Sequence, residues 1–197
     1  MKFLGKTENS LVLKEELTYK AGQTGNNKRI KELLLQEQKN FCAYTEKYIQ
    51  KMDACEIEHF NASKKYADNY YNYYAVLRSA NLFKKDVEYA DASFFQTLFF
   101  QDSESFNRRI RYSGDGYYEE SDENDQEARD LIDFLGFNHE YLYEQRKKHI
   151  ARLKRNFKDA SYTKEKCLEY FHDFQEDLSF ITAIEIHLGL DLSEFYT

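Results

Sequence analysis

The chain is almost free of the residues that interrupt helices. Its 197 residues include no proline and only seven glycines. These two residue types most often end helices and form the tight turns between short strands. Long helices are therefore easier to build from this sequence than a sandwich of short strands. We predict an α+β fold that is mostly helical.

Aromatic residues supply much of the apolar material for a core. The chain has 17 Tyr and 16 Phe but no Trp. Tyr side chains can lie at the edge of a core with their hydroxyls hydrogen-bonded. A chain of this length buries enough surface for one sizeable core, and it shows no internal repeat or low-complexity linker. We therefore predict one domain that spans residues 1–197.

Hydrophobic periodicity gives a first outline of the elements. It predicts helices at about 28–52, 128–135, 138–156 and 163–188, the second of them ending at Gly136. Weak alternation predicts a short strand at 53–60. The aromatic segment 69–77 is β-prone, and the chain turns helical again from Ser79. Residues 94–100 suit an apolar helix or buried turn, and the turn residues of 112–117 predict a hairpin tip.

Cysteine usage and hydropathy predict the compartment. Cys42, Cys55 and Cys167 are widely spaced and odd in number, which suits a reducing cytoplasm better than a disulfide framework. No run of about 18 apolar residues could span a membrane. The first ten residues lack the apolar stretch of a signal peptide. We expect a cytoplasmic protein with no membrane contact.

The charge distribution is uneven. The net charge is −7, whereas proteins that bind nucleic acid alone usually present a basic surface. Acidic residues concentrate at 119–125, which we interpret as a solvated loop. Basic residues gather at 108–111 and at 146–158. This leaves room for a local phosphate-binding face, although the second run is equally typical of the solvated side of a long helix.

Four polar residues carry the chemistry that we single out. Glu58 and His59 end the predicted strand, and Asn72 and Asn81 follow in the next segments. A neutral imidazole can take a proton from an attacking water, and carboxylate and amide oxygens suit a hard cation such as Mg²⁺. Each residue taken singly has a more ordinary role, as a surface carboxylate, a structural histidine, or a turn or cap residue. Together they match a hydrolytic site for phosphodiesters.

Four sequence blocks give this constellation a family context. The blocks are LLLQEQKNFCAYTEKYI at 33–49, EIEHF at 56–60, NYYNYYAVLRSANLFKK at 69–85 and LIDFLGFNHEYLYEQR at 131–146. In this order along the chain, they resemble the PtuB-type HNH endonuclease family, whose members act in Septu and some retron antiphage systems beside an ABC-type ATPase.

The resemblance implies a role for each residue. His59 would be the general base, Asn72 the second catalytic residue that braces the loop, and Glu58 and Asn81 the ligands of one divalent cation, Mg²⁺ or Mn²⁺. It also implies a small ββα-metal core with its preceding helix at about 29–90, embedded in a helical elaboration at about 91–197. Phosphate contacts would come from two basic residues after the last Asn, Lys84 and Lys85.

The chain departs from the family at a second metal site. Many members hold a structural zinc with two CxxC pairs. Here the corresponding positions read CAYT at 42–45 and LRSA at 77–80, so only Cys42 remains. One thiolate cannot close a tetrahedral zinc site. We therefore expect no structural zinc, with an apolar plug in its place and Tyr44 and Phe83 packed nearby.

Three functions are compatible with the sequence. The first is a nuclease effector that cuts DNA or RNA and depends on an ATPase partner for part of its affinity for nucleic acid. The second is a catalytically inactive module that keeps the fold as a docking surface for the ATPase. The third is a nuclease that works alone, which predicts appreciable nucleic-acid affinity that falls steeply with salt.

Overall fold

Helices predominate, and two small antiparallel sheets accompany them. The computed structural model describes residues 1–64, 69–89, 103–158 and 163–197. Within these residues the predicted class, α+β and mostly helical, is confirmed. The apolar segment predicted at 94–100 and the predicted core boundary near residue 90 lie outside the described residues.

The first long helix is shorter than predicted. After the single turn α1 (Leu11–Lys14), helix α2 (Thr24–Glu37) ends where Lys39 and Asn40 adopt left-handed backbone conformations with φ of 51° and 63°. Residues 41–48 then form a turn closed by a bridge between Phe41 and Tyr48. The prediction of one helix over 28–52 was wrong, because contacts with distant parts of the chain stabilise this turn.

A β-hairpin followed by a short helix comes next. Strands β1 (Cys55–His59) and β2 (Tyr73–Leu77) are antiparallel, with Glu58 opposite Tyr74 and His59 opposite Tyr73. Helix α3 (Arg78–Asn81) starts directly after β2. All five residues of β2 are buried. The predicted strands at 53–60 and in 69–77 are thus confirmed, except that Tyr70–Asn72 form a 3₁₀ turn.

The outer edge of β2 is covered by side chains. The amide of Gln38 donates to Ala75 O and accepts from Ala75 N, both at 2.8 Å. Cys42 Sγ accepts from Leu77 N at 3.4 Å. Gln38 therefore acts as a substitute for a neighbouring strand. The sheet has two strands, so β1 forms its other edge.

A second hairpin follows helix α4 (Ser103–Arg109). It pairs β3 (Ile110–Tyr112) with β4 (Tyr118–Glu120), so the hairpin tip predicted at 112–117 is confirmed. Helix α5 (Gln126–Phe134) ends before Gly136, as predicted. Gly136 has φ of 62°, and a Cβ there would lie 2.6 Å from Phe83 O, so only glycine fits.

The C-terminal helices pack back onto the chain. They are α6 (Glu140–Asn156), α7 (Lys164–Asp173) and α8 (Ile181–Leu188). The prediction of one helix over 163–188 was wrong. Asp177, in the intervening 3₁₀ turn, accepts hydrogen bonds from Arg152 of α6 and from the Tyr170 hydroxyl, which pulls this segment out of helical geometry. Phe180 then adopts a left-handed conformation with φ of 65°.

One buried carboxylate joins the two ends of the described chain. Glu46 is fully buried and accepts from Thr182 N at 3.1 Å, Thr182 Oγ1 at 2.8 Å and Lys2 N at 2.9 Å. The principal apolar cluster likewise contains residues from Met1 to Leu192. The C-terminal helices thus support the turn that precedes the β1–β2 hairpin.

The acidic segment at 119–125 is a solvated loop only in part: residues 121–124 form an exposed turn, whereas the acids on either side of them are held by the fold. Glu119 and Glu120 belong to β4, and arginines pair with the acids: Arg111 with Glu119 at 3.1 Å, Arg129 with Glu120 at 2.6 Å, and Arg109 with Asp125 at 2.7 Å. These ion pairs also engage two arginines of the basic run at 108–111. Among the helices in the described segments, none has the length and apolar character needed to cross a bilayer.

Candidate active site

Three of the predicted site residues line one cavity. Glu58 and His59 end strand β1, and Asn81 ends helix α3. All three border a cavity of about 570 Å³, whose opposite side is formed by residues of α2 and the segment before it. The hairpin and the short helix that follows it therefore bring together residues that are more than twenty positions apart in sequence.

His59 is held by two tyrosines. It is 8% exposed, and its ring makes edge contacts with Tyr19 and Tyr73 at centroid distances of 4.8 and 5.6 Å. Tyr19 N donates to the Tyr73 hydroxyl at 2.9 Å, which fixes one tyrosine relative to the other. Sequence reasoning missed Tyr19, because nothing distinguishes this residue among 17 tyrosines.

Asn72 braces the loop and does not line the cavity. Its Oδ1 accepts from Asn61 N at 2.8 Å, and its Nδ2 donates to Asn61 O at 3.1 Å. Phe60 N also donates to Asn72 O at 2.9 Å. These bonds hold the chain directly after His59 against the start of β2. Asn61 was not predicted, although it lies two positions after His59 and directly follows the EIEHF block.

Lys84 is buried against Glu58, contrary to the expectation of a phosphate contact. The Lys84 side chain is fully buried, and its Nζ lies 2.5 Å from Glu58 Oε1, 2.8 Å from Asp86 Oδ1 and 2.8 Å from His59 O. Burial raises the pKa of Glu58, and Lys84 and then Asn81 oppose this rise. In this arrangement Lys84 serves as an internal counter-ion and not as a surface cation.

Lys85 lies apart from the other predicted site residues. Its Nζ pairs with Asp133 Oδ1 at 2.7 Å and with Glu88 at 3.7 Å. It lines a different cavity of about 420 Å³, beside α5. The structure therefore does not bring Lys85 together with Glu58, His59 and Asn81.

The oxygen atoms of Glu58 and Asn81 meet some of the requirements of a hard-cation site. The Asn81 side chain is close enough to the Glu58 carboxylate to oppose the rise of its pKa, and oxygen ligands of this kind suit Mg²⁺ or Mn²⁺. Lys84, however, already donates to the carboxylate, so a divalent ion would compete with an ammonium group. Over the described ranges, no cluster of three or more His, Cys, Asp or Glu side chains is placed to bind a metal.

The segments 42–45 and 77–80, at which we expected no structural zinc, lie close together. Cys42 is buried, and its sulfur interacts with Thr45 and accepts from the backbone of Leu77, so the 42–45 and 77–80 segments are adjacent. Burial raises the pKa of the Cys42 thiol, which disfavours the thiolate that a metal requires. Burial also raises the pKa of Cys55 to about 11.

Comparisons with protein families, with curated proteins and with solved structures found no match for this chain.

Proposed function

We propose that the chain is a metal-dependent HNH-type endonuclease that hydrolyses nucleic-acid phosphodiesters. The observation that carries this proposal is the hairpin-and-helix arrangement that surrounds one cavity with Glu58, His59 and Asn81, while Asn72 braces the loop. The resemblance to the PtuB-type family supports the same roles. It also supports an effector role in antiphage defence with an ABC-type ATPase. The net charge of −7 is compatible with that role, because a partner could supply part of the affinity for nucleic acid.

In the proposed reaction, a ring nitrogen of His59 takes the proton of a water that attacks phosphorus, and the P–O bond to the leaving oxygen breaks. Tyr19 and Tyr73 hold the imidazole in one orientation, so little conformational freedom is lost when the substrate binds. Asn72 and Asn61 keep the strand end, and hence His59, in place. A divalent ion held by Glu58 and Asn81 would stabilise charge on the phosphate oxygens.

A second function is favoured by one observation. The Lys84 ammonium pairs with Glu58 inside the fold, so one of the two expected metal ligands already has a cationic partner from the chain itself. This state suits a catalytically inactive module that docks to the ATPase. The two functions differ in whether metal-dependent cleavage occurs.

A cleavage assay separates the two functions. Plasmid DNA and total RNA would be incubated with the wild type, with and without the ATPase, in Mg²⁺, in Mn²⁺ and in EDTA. We expect cleavage that EDTA abolishes and that His59→Ala reduces by at least about 100-fold. His172→Ala, at a side chain that is 56% exposed beside Glu194, is the matched control and should cleave normally. Cleavage that survives in His59→Ala, or no cleavage by folded protein with its partner, contradicts the proposal.

A further inference from the structure

The cavity at the candidate active site is the first of three cavities that adjoin one another. The second, of about 650 Å³, shares Lys28, Lys31 and Cys55 with the first. The third, of about 490 Å³, shares Gln50 with the second. We call this row of adjoining cavities the lysine groove. It runs from β1 and α2, past residues 47–53, to α6 and the turn before α8.

Cations follow the lysine groove along its whole length. Three of the six acids that line it are closely paired: Glu56 with Arg78, Glu58 with Lys84, and Asp177 with Arg152. Three further acids on its walls, Glu32, Asp53 and Glu176, are exposed. The cations that remain to give the groove its positive character are Lys28, Lys31, Lys47, Lys51, Lys148 and Arg155.

Several of these cations are available to a ligand. In the part of the chain that the structure describes, no carboxylate lies within ion-pair distance of Lys31, Lys47, Lys51 or Arg155. Lys28 and Lys148 have only long, exposed pairs with Glu32 and Glu144, at 3.8 and 3.9 Å, and such pairs contribute little.

This arrangement contrasts with the rest of a chain whose net charge is −7. Around the second hairpin, arginines and acids pair closely and present little free positive charge. A row of cations at intervals along a groove fits an extended polyanion better than a single small anion. Tyr19 in the first cavity and Tyr48 in the second add aromatic rings beside the cations. Such a pairing is typical of grooves for nucleic-acid strands.

We propose that the lysine groove binds the phosphates of a nucleic-acid strand and leads that strand to His59. This inference rests on the proposed function for the role of His59, but strand binding itself can be tested without cleavage. It assigns Lys148 and Arg155, far from His59 in sequence, as phosphate contacts, and it places Lys28 and Lys31 beside the scissile position.

The test measures binding of the wild-type chain in EDTA, by fluorescence anisotropy with labelled single-stranded and duplex DNA and RNA. Each phosphate contact on a single strand changes the salt slope by about 0.7 and is worth about fivefold in affinity at roughly 0.1 M salt. Lys148→Gln/Arg155→Gln should therefore weaken binding of a strand of about 16 nucleotides by about 25-fold. The same variant should leave a strand of about 4 nucleotides nearly unaffected.

The same helix provides the matched control. Lys147 and Lys154 are exposed on α6 but do not line the groove. Lys147→Gln/Lys154→Gln removes the same charge and should change affinity by less than about threefold. Equal losses in the two double variants, or no binding by the wild type, would overturn the groove. The proposal would also be overturned if a poly-glutamate peptide bound as tightly as the nucleic-acid strands and lost affinity in the same variants. That result would point to an acidic protein partner.

The outcomes distinguish this inference from the proposed function. Binding that depends on the groove cations, without cleavage under any assay condition, would support the groove and contradict the proposed nuclease activity. Cleavage that requires His59 but is unchanged when the groove cations are replaced would support the nuclease activity and contradict the groove. Comparison of the DNA and RNA strands identifies the class of nucleic acid.

Discussion

Replacement of Lys84 by Met tests whether the buried ion pair holds the candidate site together. Met keeps the length of the side chain but removes its charge, so Glu58 loses its 2.5 Å partner and the His59 carbonyl loses a donor. Asp86 is 42% exposed, and water can replace the ammonium there. Removal of one partner of a buried ion pair costs about 3 to 5 kcal/mol. We expect a loss of that size in the free energy of unfolding.

Urea unfolding, followed by circular dichroism near pH 7, measures this loss. Lys85→Met is the matched control, because Lys85 and its partner Asp133 are 38% and 48% exposed. The control should lose no more than about 1 kcal/mol. The double variant Lys84→Met/Glu58→Gln should recover about 2 kcal/mol or more relative to the sum of the single losses, since no charge stays buried. If Lys84→Met costs no more than Lys85→Met, the reasoning about the buried pair is refuted.

Two further predictions concern other parts of the fold. Asn72→Ala removes two hydrogen bonds from a buried loop and leaves the Asn61 backbone groups without them, so urea unfolding should show a loss of about 2 to 4 kcal/mol; a loss below about 0.5 kcal/mol would contradict the bracing role. Burial lowers the pKa of His149, so the unfolded chain binds a proton that the folded chain does not, and this contribution to stability is lost as pH falls below about 6.5. His149→Gln should therefore lose less stability than the wild type between about pH 8 and pH 5.5, and parallel pH profiles would rule this out.

Local patterns predicted the elements whose ends are fixed locally. Asp125 caps α5 by accepting from Ala128 N, and Gly136 follows the end of that helix, so both limits are visible in the sequence. The β1 strand and the second hairpin were predicted for similar reasons. Helix α2 was predicted too long, because Gln38 reaches Ala75 and Glu46 reaches Thr182, and no local pattern reports contacts of such range.

The candidate site likewise has features that the sequence predicts and features that only the fold reveals. That Glu58, His59 and Asn81 lie together could be predicted from their order and from the resemblance, whereas their chemical roles stay a prediction. The burial of Lys84 could not, because it depends on how residues 82–86 dock against Phe134 and Gly136. The basic run at 146–158 also looked uniform in sequence. Only the fold separates Lys148 and Arg155, which face the groove, from Arg146, which is buried in the core.

The bonds between Glu46 and Thr182 have a consequence for synthesis on the ribosome. The two residues are 136 positions apart, and at about 5 to 20 residues per second the second emerges roughly 7 to 27 s after the first. During that interval Glu46 is a hydrated carboxylate, and the turn that supports the β1–β2 hairpin lacks its partner helix. A nascent chain therefore completes the support of His59 only when translation has reached α8.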